Sequence, residues 1–213
     1  MGKLIVIEGI DGSGKSTQLR LLSERLKRDG VPFQSVRFPR YSREHSALAR
    51  LYLSGGLGDS PGGVNAYAAS SFFAADRFVS YKTEPWGTYY DGGGIVFADR
   101  YTTSNAIHQG VKLPARERAD FFRWLYDYEF RLLGLPAPSA VFHLALPAAL
   151  ARERISSRGE GMDIHERDGA YLAECAECAG AAAEVLGWTA ADASRGEADV
   201  HAELCEAVRR LVG

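Results

Sequence analysis

Cysteine is scarce in this sequence, with three residues, Cys175, Cys178 and Cys205. Too few and odd in number for a disulfide framework, they point to a reducing compartment, and a cytoplasmic location is expected. Cys175-Ala-Glu-Cys178 has the C-x-x-C spacing of some metal and redox sites. It lies, however, in an Ala- and Glu-rich helical stretch without a second pair, and reads as inert helix positions. No apolar run approaches the roughly 20 residues of a membrane helix. No charged leader, apolar segment and cleavage site stands at the start, so neither membrane nor export is expected. An excess of charge of one sign is also missing. Lysine and arginine total 25 against 27 acidic residues, a formal net charge of −2. That balance leaves no electrostatic footprint for nucleic acid. Internal repeats and low-complexity tails are absent too.

What is present is the material of one α/β domain. The 213 residues are 46% hydrophobic and 24% charged, ordinary globular values that read as a single domain over 1–213. Close behind the first residue stands Gly9-Ile10-Asp11-Gly12-Ser13-Gly14-Lys15-Ser16-Thr17. It matches G-x-x-x-x-G-K-S/T, the loop that cradles a nucleoside triphosphate. Lys3 to Glu8 before it has the short apolar, β-branched run of a buried parallel strand, and Leu19, Leu22 and Leu26 after it recur at helical spacing. Glycines let backbone N–H groups approach phosphate oxygens, and a helix beginning near Lys15 points its positive end at the anion. Lys15 is placed to bridge β- and γ-phosphates and the Ser16 hydroxyl to ligate Mg²⁺.

Further along, strands are expected over 31–38, 95–99, 139–145 and 188–192. Helices are expected over 44–53, 64–84, 114–132, 164–186 and 197–212, with a glycine-rich loop over 54–63. Strands separated by helices predict a parallel sheet with its ligand at the loop end. Asp99 closes an apolar strand, from which a carboxylate reaches the metal region beside a phosphate loop. Arg100 follows it, a guanidinium able to grip phosphate with two donors.

Phe38-Pro39-Arg40-Tyr41, Phe73-x-x-x-Arg77, Asp99-Arg100-Tyr101-Thr102-Thr103-Ser104 and Arg158 followed by Asp163-x-x-Glu166 occur in the order found in thymidylate kinases. With the phosphate loop and its Asp11, the chain resembles that family from about Lys3 to the last helix. The resemblance implies a three-layer α/β P-loop kinase fold: a five-stranded parallel sheet flanked by helices, with a mobile lid over about 154–166. It implies phosphoryl transfer from ATP to dTMP with Mg²⁺, and a homodimer formed through the helices over 64–81 and 121–132.

The same resemblance assigns roles. Phe73 stacks on thymine and Arg77 addresses the base edge. Arg40 and Arg100 hold the monophosphate with Tyr41 beside it, while Ser104, Asn105, His108 and Gln109 line the base and sugar pocket. Asp11 helps place the acceptor, and Asp99 and Glu166 join Ser16 at the metal. Some family members carry an arginine in the phosphate loop where this chain has Gly12. In those with glycine there, the lid supplies the charge, which assigns that role to Arg158, with Arg154 as competitor on the ATP side.

Competing readings differ in chemistry. By helical spacing alone Phe73 reads as core, Arg77 as a surface charge, and Asp163 and Glu166 as a helix start. A related kinase acting on another monophosphate or on a nucleoside shares Asp99-Arg100-Tyr101. A nucleoside acceptor needs a carboxylate base, for which Glu8 is the candidate. A nucleotide switch without turnover lacks its Asn-Lys-x-Asp signature here, since neither Asn65 nor Asn105 precedes lysine.

Overall fold

The computed structural model describes residues 2–58, 63–157 and 169–212. Strand β1 (Lys3–Glu8) carries Leu4, Ile5 and Val6 with no exposed surface, as befits an apolar run covered on both faces. Helix α1 (Lys15–Arg28) follows the phosphate loop and buries Lys15, Gln18, Leu22 and Leu26 along one side. With β2 (Phe33–Arg37), β3 (Ile95–Asp99), β4 (Ala140–Ala145) and β5 (Thr189–Asp192), β1 forms a five-stranded parallel sheet in the order β2-β3-β1-β4-β5. The expected α/β architecture, a parallel sheet flanked by helices, is the one the chain adopts.

Between β2 and β3 lie a 3₁₀ turn (Glu44–Ser46), α2 (Ala47–Leu53), α3 (Ala66–Thr83) and α4 (Pro85–Asp91). The Asn65 side chain accepts from the Ala68 N–H at 2.8 Å and caps α3. Glu84 is extended, and Pro85 opens the next helix, because proline disfavours helical geometry in the residue before it yet suits a first turn. After β3 come α5 (Thr102–Gly110) and α6 (Ala115–Tyr126), and after β4 come α7 (Ala148–Ser157) and α8 (Gly169–Leu186). Helix α9 (Glu197–Val212) closes the described chain and packs on α1, while α5, α6 and α8 pack together.

Two expected helices differ in detail. The one over 44–53 begins as a 3₁₀ turn, and the one over 114–132 stays α-helical only to Tyr126, with Asp127–Leu132 wound as a π-helix. The wider turn carries the buried acid Glu129. Residues 158–168, which include Arg158, Asp163 and Glu166 and most of the expected lid, lie outside the described residues. Cys175 and Cys178 are buried on α8, and burial pushes both thiols up to about 12. Among the described residues, no helix is long and apolar enough to cross a membrane.

Phe121, Phe122 and Leu125 turn one side of α6 wholly into the core. Removing such a ring leaves a cavity in a close-packed interior. Phe122→Ala is expected to lower unfolding free energy by about 3–5 kcal/mol in urea denaturation; a loss below about 1 kcal/mol would contradict this packing.

Candidate active site

Strand register brings the chemistry to one edge. Ile7 lies beside Asp99 on β3, and Arg37 lies beside the same aspartate from β2. The chain leaves β1 toward β2 on one side and later reaches β4 on the other, the arrangement that opens a crevice at the carboxyl end of the strands. The phosphate loop occupies that position. Gly12 has φ 82°, and a Cβ there would come within 2.7 Å of the Ala151 carbonyl oxygen on α7. A side chain at position 12 would therefore be strained by the backbone and would require the Ala151 carbonyl to shift. Gly14 caps α1 in the left-handed region without a side-chain hydrogen bond, leaving the first-turn N–H groups to an anion.

Lys15 is buried and folded over its own loop, with Nζ donating to the Gly9 and Ile10 carbonyls at 2.7 and 2.9 Å. Burial lowers its pKa, and the nearby Arg100 charge adds to that effect. Asp11 stands between the two cations, accepting from Arg100 Nη2 at 2.7 Å with Lys15 Nζ at 3.5 Å. Burial alone would raise the Asp11 pKa, but Lys15 and Arg100 outweigh it and hold the carboxyl far below its usual range. Arg100 has φ 64°, a strained conformation of the kind found where a site dictates direction.

His108 Nε2 lies 3.2 Å from Arg100 Nη1, and its Nδ1 lies 3.1 Å from the Tyr171 hydroxyl. Arginine only donates, so Nε2 accepts and the proton sits on Nδ1. Burial first, and Arg100 second, push the His108 pKa down to about 4.

A cavity of about 460 Å³ runs from the loop to the far wall. Asp11, Gly12, Gly14, Lys15 and Ser16 line its loop end, with Asp99 and Arg100 beside them, while Gly9, Ile10, Ser13 and Thr17 do not line it. Tyr41, Phe73, Arg77, Ser104, Asn105, His108 and Gln109 line the rest. The structure thus brings together most of the residues singled out in the sequence. Phe73 meets Tyr52 edge-on at 5.8 Å, and Asn105 Nδ2 donates to the Ser70 carbonyl at 3.2 Å. Arg154 stands apart from the cavity, with Nη2 on the Ala193 carbonyl at 2.9 Å.

Arg40 departs from expectation. It is not on the cavity wall: Nε donates to Glu84 Oε1 at 3.0 Å, Nη2 to Glu84 Oε2, and its N–H to Asp76 Oδ2 at 2.9 Å. Glu84 and Asp76 are buried acids joined by His45, and a buried carboxylate needs a paired cation more than the solvated cavity does. Arg37 lines the cavity instead, with Nε 3.3 Å from Asp99 Oδ2. The last position of β2, one residue before the quoted Phe38-Pro39, was the sequence signal for it. Tyr52, Lys112 and Tyr171 also line the wall and carried no motif.

Glu8 does not face the cavity. It is fully buried and accepts from Thr103 Oγ1 at 2.6 Å, Ser104 Oγ at 2.7 Å and the Gly9 N–H at 3.0 Å. Its acceptor capacity ties α5 to the loop, so Glu8 is not presented to the cavity as the base a nucleoside hydroxyl would need.

Fold and site define a class: a phosphate-loop kinase whose triphosphate loop and acceptor pocket share one cavity. The family model described as thymidylate kinase matches residues 7–204. The chain is 36% identical over 172 residues to the thymidylate kinase of Mycobacterium tuberculosis (strain ATCC 25618 / H37Rv), covering 78% of each. It is 31% identical over 208 residues to the probable thymidylate kinase of Pyrobaculum aerophilum, covering 98% of this chain and 97% of that one. A thymidylate kinase of Pelotomaculum thermopropionicum is 27% identical over 214 residues, covering 99% and 94%. The chain belongs to the thymidylate kinase family.

The depressed His108 pKa has a thermodynamic consequence. As pH falls from the usual 6.5 toward about 4, the unfolded chain takes up a proton that native His108 refuses, so stability declines across that window. One such histidine contributes at most about 1.4 kcal/mol per pH unit. His108→Gln is expected to flatten the stability–pH curve there, measured by denaturation from pH 7 to pH 4. An unchanged curve would mean that His108 titrates normally.

Proposed function

We propose that this chain transfers the γ-phosphoryl group of ATP to dTMP, giving dTDP and ADP in the supply of dTTP, with Mg²⁺ as cofactor. The observation that carries the reading is one cavity lined by Lys15 and Ser16 of the phosphate loop, by Arg100, and by Phe73 and Arg77. A flat pyrimidine is matched by an aromatic face and a fixed donor, and a dianion by guanidinium groups.

The acceptor is a phosphate oxygen. A phosphate monoester has its second pKa near ~6, so the nucleophile is already largely ionised at neutral pH. No general base is called for, in keeping with neutral His108 and with Glu8 turned away. Catalysis is then alignment and charge neutralisation. Arg100 and Arg37 orient the acceptor phosphate with Tyr41 beside it, Asp11 holds Arg100 in place, and Lys15 turns from its own carbonyls to the donor phosphates. Gly9 to Thr17 cradle the triphosphate, and Arg154 belongs to the ATP side. Phe73, Asn105, Gln109, His108 and Ser104 enclose base and sugar.

Ser16 and Asp99 fit a magnesium site. An exposed hydroxyl in the first turn of α1 and a carboxylate closing β3 line the same cavity, and Mg²⁺ takes few protein ligands besides substrate phosphates. Glu166 is the third group assigned to it. When bound, the ion neutralises phosphate charge. With glycine at position 12, Arg158 is assigned the charge that opposes the transferring phosphoryl group.

The chain works as a single domain in the cytoplasm and as a homodimer, without nucleic acid or membrane. Three free cysteines and near-balanced charge support the setting. Tyr67 on α3 and Leu132 after α6, 42% and 60% exposed, support a dimer face along those helices.

Offered ATP-Mg with dTMP, thymidine, dUMP and dGMP separately, the protein is expected to form ADP fastest with dTMP. Fastest product from thymidine would overturn the assignment. Arg158→Ala is expected to lower kcat by roughly 10³-fold or more, the scale of a transition-state arginine; turnover within a few-fold of wild type would remove Arg158 from that role.

A further inference from the structure

We infer that Glu129 is a positioning residue for acceptor recognition, holding Arg77 in the one orientation that presents a guanidinium edge to the base. The inference rests on the reading that Arg77 addresses the base. Glu129 has no exposed surface, and the Arg77 side chain is 3% exposed, yet Arg77 reaches the cavity wall. Arg77 Nε donates to Oε2 of Glu129 at 2.7 Å and Nη2 donates to Oε1 at 2.5 Å. Two parallel bonds fix the plane of the guanidinium as well as its place. They occupy Nε and Nη2 and leave Nη1 as the nitrogen that Glu129 does not engage.

Two further features converge on the same carboxylate. Thr102 Oγ1 donates to Oε2 at 2.7 Å, which ties Glu129 to the first residue of α5, two positions beyond Arg100. The grip on the base and the grip on the phosphate thereby share a support. The acid itself rides on the π-helical Asp127–Leu132, an irregularity of the kind that redirects side chains at functional sites. The Tyr101 ring, 5.8 Å from Arg77 Cζ, closes the other side.

The chemical consequence is selectivity. A guanidinium only donates, so the base edge it meets must accept. A keto pyrimidine satisfies it and an amino pyrimidine does not. Freed from Glu129, the guanidinium can swing away and must be ordered again on binding, at a cost in affinity.

The test combines steady-state kinetics for dTMP, dCMP and ATP with thermal melting. Glu129→Gln keeps the shape but removes the charge and one acceptor. It is expected to raise KM for dTMP roughly tenfold or more, the scale for hydrogen bonds to charged groups, with KM for ATP unchanged and less preference for dTMP over dCMP. Thr102→Val is expected to move the same quantities in the same direction by a few-fold, and decides the matter alone if Glu129→Gln does not fold. Wild-type KM for dTMP and wild-type preference, with only the melting temperature lowered, would reduce Glu129 to a structural role and overturn the inference. Arg77→Lys separates the two levels, since lysine keeps the charge but not the fork. If it leaves KM for dTMP unchanged, the base-reading premise falls and the inference with it. If it raises KM while the other two variants do not, the positioning role alone falls.

Discussion

The carboxylate of Asp11 lies between Lys15 and Arg100, and the site depends on that placement. Two cations brought together in a buried crevice repel, and each raises the cost of keeping the other charged. Asp11 accepts from Arg100 at 2.7 Å and stands 3.5 Å from Lys15, so it compensates both at once. The interaction is possible only because β1 and β3 are neighbours in register, which sets the loop after one strand against the Asp99-Arg100 end of the other. Positive charge is thus held in place where phosphates are to be received.

Behind this front stands a second tier of buried acids facing away from the cavity. Glu8 binds the first turn of α5 to the loop, Glu84 anchors the turn after β2 through Arg40, and Glu129 fixes Arg77. Each would be costly to bury alone, and each is satisfied by donors from a distant part of the chain. Lys15, Arg37, Arg77, Arg100 and Lys112 line the cavity together with the carboxylates of Asp11 and Asp99, while Glu8, Glu84 and Glu129, which hold its walls, are spent on protein partners. A cavity built this way favours a polyanion.

Much of this was legible in local patterns. The phosphate loop declares itself because its glycines, lysine and hydroxyl are needed consecutively, and its flanking strand and helix follow from adjacent residues. The β3 strand shows as four apolar residues closed by Asp99, while Phe73 and Arg77 show only through the resemblance, since helical spacing alone reads them as core and surface charge. Arg40 and Arg37 mark the limit. They lie three positions apart around the same turn, and nothing local says which faces the cavity. Glu84, far along the chain, takes Arg40 and leaves the cavity to Arg37.

The amino-acid sequence by itself determined the donor half of the site and the parallel α/β frame, because both arise from interactions within a few residues: turn geometry, helix-terminal amides, and apolar runs of strand or helical period. Tertiary structure decided which charges are presented and which are consumed. Glu8, the possible base, accepts three structural hydrogen bonds; Arg40, expected at the phosphate, pairs with Glu84; and Glu129, an unremarked position in an expected helix, pairs with Arg77. Those outcomes follow from the cost of leaving a buried charge unpaired, and its partners are brought near only when the sheet and its helices close.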